Sequence, residues 1–271
     1  VKNKSCQTQT VSDSLESRTS EVIDSRRVPI THPDFRYSES TNPYSKKIEE
    51  VSDRVFSDQA SEAHIGQWRD HFPDQKKSTP QRRPLHVEIG CNAGHVILEW
   101  AKAHPETSYI GIDWKFKPIF RAAEKSIKHK IGNLIFLRAH ADRIQYIFSE
   151  EEVDALFLFF PDPWPKKAQK KNRFLRSERL REIHKILSKD GVFTIRTDHR
   201  DYFDWMLQCI HETQELWDVF DLSFDVYANH PDPKSLKIPE VTLFERLFIK
   251  DGLPIHQVKL RKRLPTQSTQ S

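Results

Sequence analysis

Up to residue 84 the apolar positions follow no sustained period, and from Leu85 onward they fall into alternating short runs and helical stretches. Leu85-His-Val-Glu-Ile89 predicts a strand, which a glycine-bearing turn, Gly90-Cys-Asn-Ala-Gly94, brings to an end. His95–Ala103 then carries Val96, Leu98, Trp100 and Ala101 at helical spacing. Ser108–Ile112 predicts a second strand ending at Asp113, followed by a helix over roughly Lys117–Lys130. Leu134–Leu137 is a third strand. Val153–Phe160 is a fourth and is nearly all apolar, as a strand covered on both faces should be. A helix over 175–187 leads through Lys189-Asp-Gly191 to a fifth strand, Val192–Arg196. A helix near 200–213 and a strand near 218–227 follow. The pattern then predicts a hairpin of 241–250 and 254–261, turning at Lys250-Asp251-Gly252. Alternation along its first strand would put Thr242, Phe244 and Arg246 on one face.

Strands alternating with helices of ten or more residues indicate an α/β fold with a doubly wound, mostly parallel sheet. Right-handed crossovers place the strand C-termini along one edge, where ligands bind. That domain spans about 85–264. Residues 1–25 are polar and read as a disordered lead. Residues 26–84 read as an irregular extension with a short helix near 58–72, packed on the core and joined to it by the turn-rich Gln75–Pro84. Residues 265–271 read as a disordered tail.

Composition narrows the picture only slightly. A chain of 271 residues can bury one substantial core, and its formal net charge of +4 is mildly basic. The distribution of charge says more. Lys166 to Lys189 holds ten Lys or Arg against Glu178 and Glu182. A field of one sign beside a cleft attracts a polyanion, although a solvated helix face reads the same way. Cys6, Cys91 and Cys209 are scattered without metal-ligand spacing and are expected to stay reduced. With no long apolar stretch and no secretory signal, the expected residence is the cytoplasm, with no membrane partner.

Candidate chemistry gathers at the predicted strand ends. Gly90 lets the chain turn and a ligand lie against the backbone, with Glu88 two positions before it. Asp113, ending the second strand, is placed to accept both hydroxyls of a ribose. Position 92 is Asn, so the dinucleotide pattern G-x-G-x-x-G is absent and a cradled pyrophosphate fits poorly. An adenosine ligand without phosphates fits better, and S-adenosylmethionine is the leading candidate. Glu88 has an alternative reading as an ion-pair partner, and either His140 or Asp142 supplies the contact to the adenine.

Phe159-Phe-Pro-Asp-Pro-Trp-Pro-Lys-Lys167 follows the fourth strand. Proline fixes its own φ and biases the residue before it toward extended geometry, so Asp162 has little freedom. Asp198 follows the fifth strand and is expected at the same edge. A guanine offers N1–H and an exocyclic amine as adjacent donors; a carboxylate that accepts both leaves N7 free. N7 already holds an unshared pair, so methyl transfer to it needs alignment and shielding from water more than a base. Trp164 caps the pocket, stacks on a base, or lies buried under the next loop. Mg²⁺ held by Glu88, Asp162 and Asp198 is disfavoured by Lys166 and Lys167, so no metal is expected. An NAD-linked reductase would want a fuller glycine fingerprint.

On these residues the chain resembles the bacterial tRNA (guanine-N7-)-methyltransferase family, over roughly residues 85–262. The resemblance rests on Phe159-Phe-Pro-Asp-Pro-Trp164 with Lys166 and Lys167, on Thr197-Asp198, and on Pro239 to Glu245. Glu88, Gly90, Gly94 and Ile110-Gly-Ile-Asp113 look like the family's cofactor elements. The resemblance implies a Rossmann-like class I fold using S-adenosylmethionine and methylation of a guanosine in the tRNA variable loop, position 46 of tRNA. It makes Asp162 the catalytic or guanine-positioning residue, Glu88, Gly90, Asp113 and His140 cofactor-binding, and Lys166, Asp198, Thr242 and Glu245 substrate-binding. Lys167, Lys170, Lys171 and Arg173 are then expected on the RNA backbone. Where the family commonly has Asp, this chain has His140. That change and the loop at 91–93 motivate the alternative of an inactive RNA-binding protein on the same fold.

Overall fold

The computed structural model of the chain describes residues 28–74, 82–236 and 241–263. The lead at 1–25, most of the linker, Pro239 with Glu240, and the tail at 265–271 lie outside the described residues. A sheet of eight strands organises the rest. Its strands are β1 (Val55–Ser57), β2 (Leu85–Ile89), β3 (Ser108–Asp113), β4 (Leu134–Arg138), β5 (Val153–Phe159), β6 (Leu187–Thr197), β7 (Trp217–Ser223) and β8 (His256–Lys262). Their order across the sheet is β1-β4-β3-β2-β5-β6-β8-β7.

The first six in that order run parallel, and β8 runs antiparallel to both β6 and β7. The chain therefore winds outward from β2 in one direction to β4, then returns to lay β5 and β6 on the other side. The reversal lies between β2 and β5, so loops leaving their C-terminal ends diverge and open a crevice there. This is the doubly wound, mostly parallel sheet expected from the sequence.

Side-chain alternation divides the core into two layers. Leu134 and Phe136 of β4 enter one layer with α1 (Pro43–Glu49), α2 (His95–Ala103) and α3 (Phe116–Lys128). Ile135 and Leu137, one position along, enter the other with α4 (Ile144–Ile147), α5 (Ser177–Ile186) and α6 (Arg200–His211). Close packing between strand and turn also fixes Gly111, where a Cβ would fall 2.8 Å from Cys91 Sγ and 2.9 Å from Phe136.

Three expectations are corrected. The single helix near 58–72 is two 3₁₀ turns, Asp58–Glu62 and Trp68–His71. Gly66 at φ +77° breaks the run between them, and the Gly66 and Trp68 amides donate to the Glu152 carboxylate. The fifth strand is longer than expected: β6 begins at Leu187, and its register with β5 shifts between Val153 and Ala155 to absorb Lys189-Asp-Gly191. The expected strand at 241–250 is instead α7 (Leu243–Lys250), whose partner β8 stands where the hairpin's second strand was placed.

The reason for the last correction is local. Thr242 Oγ accepts from the Glu245 amide while the Glu245 carboxylate accepts from the Thr242 amide, a reciprocal capping box that starts a helix. Thr-x-x-Glu before an apolar run carries that signal in the sequence, and the period-two reading overrode it. The extension also contributes β1 and α1, which the sequence pattern did not announce. Among the described residues, no helix is long and apolar enough to cross a membrane.

Candidate active site

A cleft of about 390 Å³ opens at the crevice between β2 and β5, lined by the ends of β2 to β5 and by α7. Gly90, Asp113, His140, Asp142, Asp162 and Phe244 all contribute to its wall.

On the nucleotide side the backbone after β2 turns left-handed at alternate residues: Gly90 at φ +77°, Asn92 at +50° and Gly94 at +68°. A Cβ on Gly90 would meet nothing within 4 Å, so its surface faces open cleft and a ligand can approach the main chain closely. Asn92, in place of a second glycine, is among the side chains that tolerate this conformation best. Asp113 fixes the loop by accepting from the Asn92 amide at 3.0 Å and the Lys115 amide at 2.8 Å. Each carboxylate oxygen keeps lone-pair capacity toward the cleft.

Glu88 is 6% exposed, and its Oε2 has no hydrogen-bond partner among the described residues. Burial, and then the charge of Asp113, push its carboxyl up to about 8. A buried acid lacking a cationic partner next to an open glycine turn fits a ligand that brings its own ammonium group. These two carboxylate acceptors thus suit the amino-acid and ribose ends of S-adenosylmethionine.

His140 and Asp142 both reach the cleft. The His140 ring accepts from the Asp142 amide through Nδ1 at 3.3 Å, and burial lowers its pKa, so the neutral ring presents an Nε2–H. Asp142 is drawn the other way by buried Arg179, which donates to its Oδ1 at 2.7 Å.

Sequence reasoning missed how this side is held from outside. Arg138 pairs with Asp58 and packs on the rings of Trp114 and Phe116 at 4.4 and 3.8 Å. Arg143 donates to both oxygens of Glu62 at 2.7 and 2.6 Å and to the carbonyls of Ile30 and His32. Tyr37 offers its hydroxyl oxygen to the His140 amide at 3.3 Å. Residues 30–62 thereby grip the loop that ends β4.

On the acceptor side, Asp162 stands exposed on the cleft between two aromatics in the left-handed region, Phe160 at φ +51° and Trp164 at +43°. That conformation costs roughly 1–2 kcal/mol per non-glycine residue. The loop persists because it is tied: the Phe160 amide donates to Arg196 O at 2.9 Å and Arg173 Nε donates to Pro163 O at 2.9 Å. Trp164 lines the cleft, which removes its reading as a tryptophan wholly buried beneath the loop.

Other expected substrate residues fall differently. Asp198 is half-buried at the end of β6 and outside the cleft lining, so Asp113 and Asp162 share the cleft without it. Thr242 and Glu245 do meet, through the capping box. Glu245, however, is 0% exposed, and its oxygens accept from the Thr242 amide, Arg196 and Tyr227. It anchors α7 against β6 rather than facing the cleft, and α7 delivers Phe244, 45% exposed, to the wall instead.

The cation-rich run also divides. Lys166, Lys167 and Lys171 are exposed, and Lys170 lies with its Nζ 5.8 Å from the Trp205 ring centre. Arg173 is 1% exposed and cannot reach a phosphate outside. Arg179 is buried as well, paired with Asp142 and Glu182. Arg173 and Arg179 therefore drop out of the positive face, which keeps the lysines at 166–171 and, further along, the exposed Arg181, Lys185 and Lys189.

A family model described as putative methyltransferase matches residues 82–258. The tRNA (guanine-N(7)-)-methyltransferase of Lachnoclostridium phytofermentans is 37% identical over 193 residues, covering 69% of this chain and 87% of that protein. The enzyme of the same name from Macrococcus caseolyticus is 32% identical over 77% of this chain and 91% of its own length. That of Bacillus cytotoxicus is 30% identical over 82% and 95%.

Proposed function

The chain belongs to the tRNA (guanine-N(7)-)-methyltransferase family, and we propose that it methylates N7 of the guanosine at position 46 in the tRNA variable loop. The observation that carries this reading is one cleft with two dissimilar walls. One wall has an open glycine turn that follows an unpartnered buried acid, Glu88, which itself does not line the cleft; the other has a rigid, exposed carboxylate beside a lysine loop.

When bound, S-adenosylmethionine supplies a methyl group on a positively charged sulfur. Glu88 would hold the ammonium of that ligand and Asp113 its ribose hydroxyls, with Gly90 allowing close approach of the main chain. Asp162 accepts from the guanine N1–H and exocyclic amine, which turns N7 toward the methyl group. The N7 lone pair would accept that methyl group as its bond to sulfur breaks and S-adenosylhomocysteine leaves, so no side chain has to remove a proton first. Phe244 and Trp164 cover the base and keep water from the reacting atoms. Lys166, Lys167, Lys170 and Lys171 hold the phosphates of the strand that carries the base.

The reading as an inactive RNA-binding protein is not favoured, because relatives that match most of this chain are named as methyltransferases and Asp113 and Asp162 both line an accessible cleft. The test is incubation of unmodified tRNA with the protein and methyl-labelled cofactor, followed by mapping of the labelled base. Label confined to N7 of the variable-loop guanosine is the expected result. Label elsewhere, or none, overturns the reading.

A further inference from the structure

Arg173 was expected outside, on the RNA, and lies inside. It follows the 3₁₀ turn Lys167–Asn172 and is 1% exposed. Its guanidinium lies 4.8 Å from the ring centre of Tyr202 and 5.3 Å from that of Trp205, both on α6. From that position Nε donates to the Pro163 carbonyl at 2.9 Å. Nη1 is buried and has no partner among the described residues.

Pro163 follows Asp162 directly. Prolines at 161 and 163 fix their own φ, and Pro163 biases Asp162 toward extended backbone; a rotation left to the segment is ψ of Pro163, which swings the Pro163 carbonyl and with it the loop on which Asp162 stands. A hydrogen bond from a buried side chain packed against two rings restrains it. The left-handed Trp164, one residue further, would otherwise relax by turning that same segment.

We propose that Arg173 is a positioning residue for methyl transfer: it holds the Pro163 carbonyl from inside and so sets the angle at which the Asp162 carboxylate meets the guanine. This inference rests on the proposed reaction. Arginine suits the task because a planar guanidinium stacks on aromatic rings while donating in its own plane; an ammonium does not combine the two. The spare Nη1 donor also distinguishes Arg173 from a saturated structural brace, since a buried unpaired donor is normally satisfied in some state of the protein. A second loop acceptor moving onto it would tighten the clamp with substrate in place.

The experiment compares the wild-type protein, Arg173→Lys, Trp205→Phe, and a Lys170→Gln/Lys171→Gln double variant. Three quantities are read: the single-turnover rate at saturating tRNA, the affinity for S-adenosylhomocysteine, and the slope of tRNA affinity against salt. Arg173→Lys is expected to slow single turnover about 100-fold, the usual scale for a reacting group misplaced by an ångström. Its affinity for S-adenosylhomocysteine, KM for tRNA and salt slope should match wild type. Trp205→Phe keeps the charge and a ring, and should slow turnover in the same sense by a smaller factor, which retains a readout if Arg173→Lys proves unstable. The lysine double variant should instead lower the salt slope by about 1.4–1.8. A full single-turnover rate in Arg173→Lys, or a salt slope lowered by one contact, overturns the positioning role. Wild-type protein that transfers no methyl group to tRNA overturns the proposed reaction itself, which separates the two failures.

Discussion

On the nucleotide side of the cleft, left-handed backbone falls on Gly90, Asn92 and Gly94, residues that adopt it readily. On the acceptor side it falls on Phe160 and Trp164, which resist it. The supports differ to match. The glycine loop is tied to Asp113 through the Asn92 amide, and the neighbouring loop after β4 is gripped by ion pairs from Asp58 and Glu62. The acceptor loop is held at its two ends, by the Arg196 carbonyl and by Arg173. A loop that binds a flexible small molecule can be built from permissive residues. A loop that must present one carboxylate at a fixed angle gains from side chains that have few alternatives, provided something braces the strain.

The sharpest break in that comparison comes from Asp162→Asn. It keeps the shape of the acceptor loop and removes one acceptor for the guanine donors. Methyl transfer should fall by a factor of about 10²–10³, measured with labelled cofactor. Binding of S-adenosylhomocysteine, read by calorimetry, should be unchanged, because nothing on the nucleotide side has moved.

Glu88→Gln probes the other wall through pH. In the protein without ligand, Glu88 has its carboxyl raised from 4.5 to about 8 by burial and by Asp113. A raised folded pKa means the native state binds the proton more tightly than the unfolded chain does. That contribution is whole below pH 4.5 and is lost as pH rises toward 8. Relative to Glu88→Gln, the wild type should therefore lose on the order of 3–5 kcal/mol across this window, seen in denaturant midpoints. Saturating S-adenosylhomocysteine should narrow the loss by giving the carboxylate a cationic partner.

Glu62→Gln tests whether the extension truly supports the cleft. Arg143 is 1% exposed, so weakening its partner leaves a buried charge poorly matched. A loss of about 2–3 kcal/mol is expected, below the full effect of a broken buried pair because the Ile30 and His32 carbonyls remain as acceptors. Cofactor affinity should fall alongside stability, whereas an equivalent loss on the acceptor side would leave it intact. Thr242→Ala should be mildest, about 1 kcal/mol for a lost helix cap. Its effect would also separate helix from strand at 243–250, since a strand has no cap to lose.

The parallel strands β2 to β5 were legible because each is a short apolar run closed by a turn residue, with no competing period. Gly90, Asp113 and Asp162 were legible for a related reason: in a parallel sheet the residue after a strand lies at the binding edge whatever the rest of the chain does. Residues 241–250 were not, because the period-two reading passed over Leu243, Phe244, Leu247 and Phe248, which recur at helical spacing. The Thr242–Glu245 cap decides between them, and those side chains are consumed by that task. Arg173 failed for a different reason. In a run of cations every member looks solvent-bound, and burial of one depends on where Tyr202 and Trp205 stand.

By itself the sequence determined the order of strands and turns and the acids at their ends, along with the tightly constrained Pro-Asp-Pro. These follow from local sterics and from periodicity, which neighbouring residues specify among themselves. The tertiary structure alone decided that residues 30–62 clamp the β4 loop and that Asp198 stands apart from the cleft. It also turned Glu245 and Arg173 inward. The clamp, Glu245 and Arg173 each depend on a partner more than 20 residues away, and only packing of the two layers brings such partners to within a few ångströms.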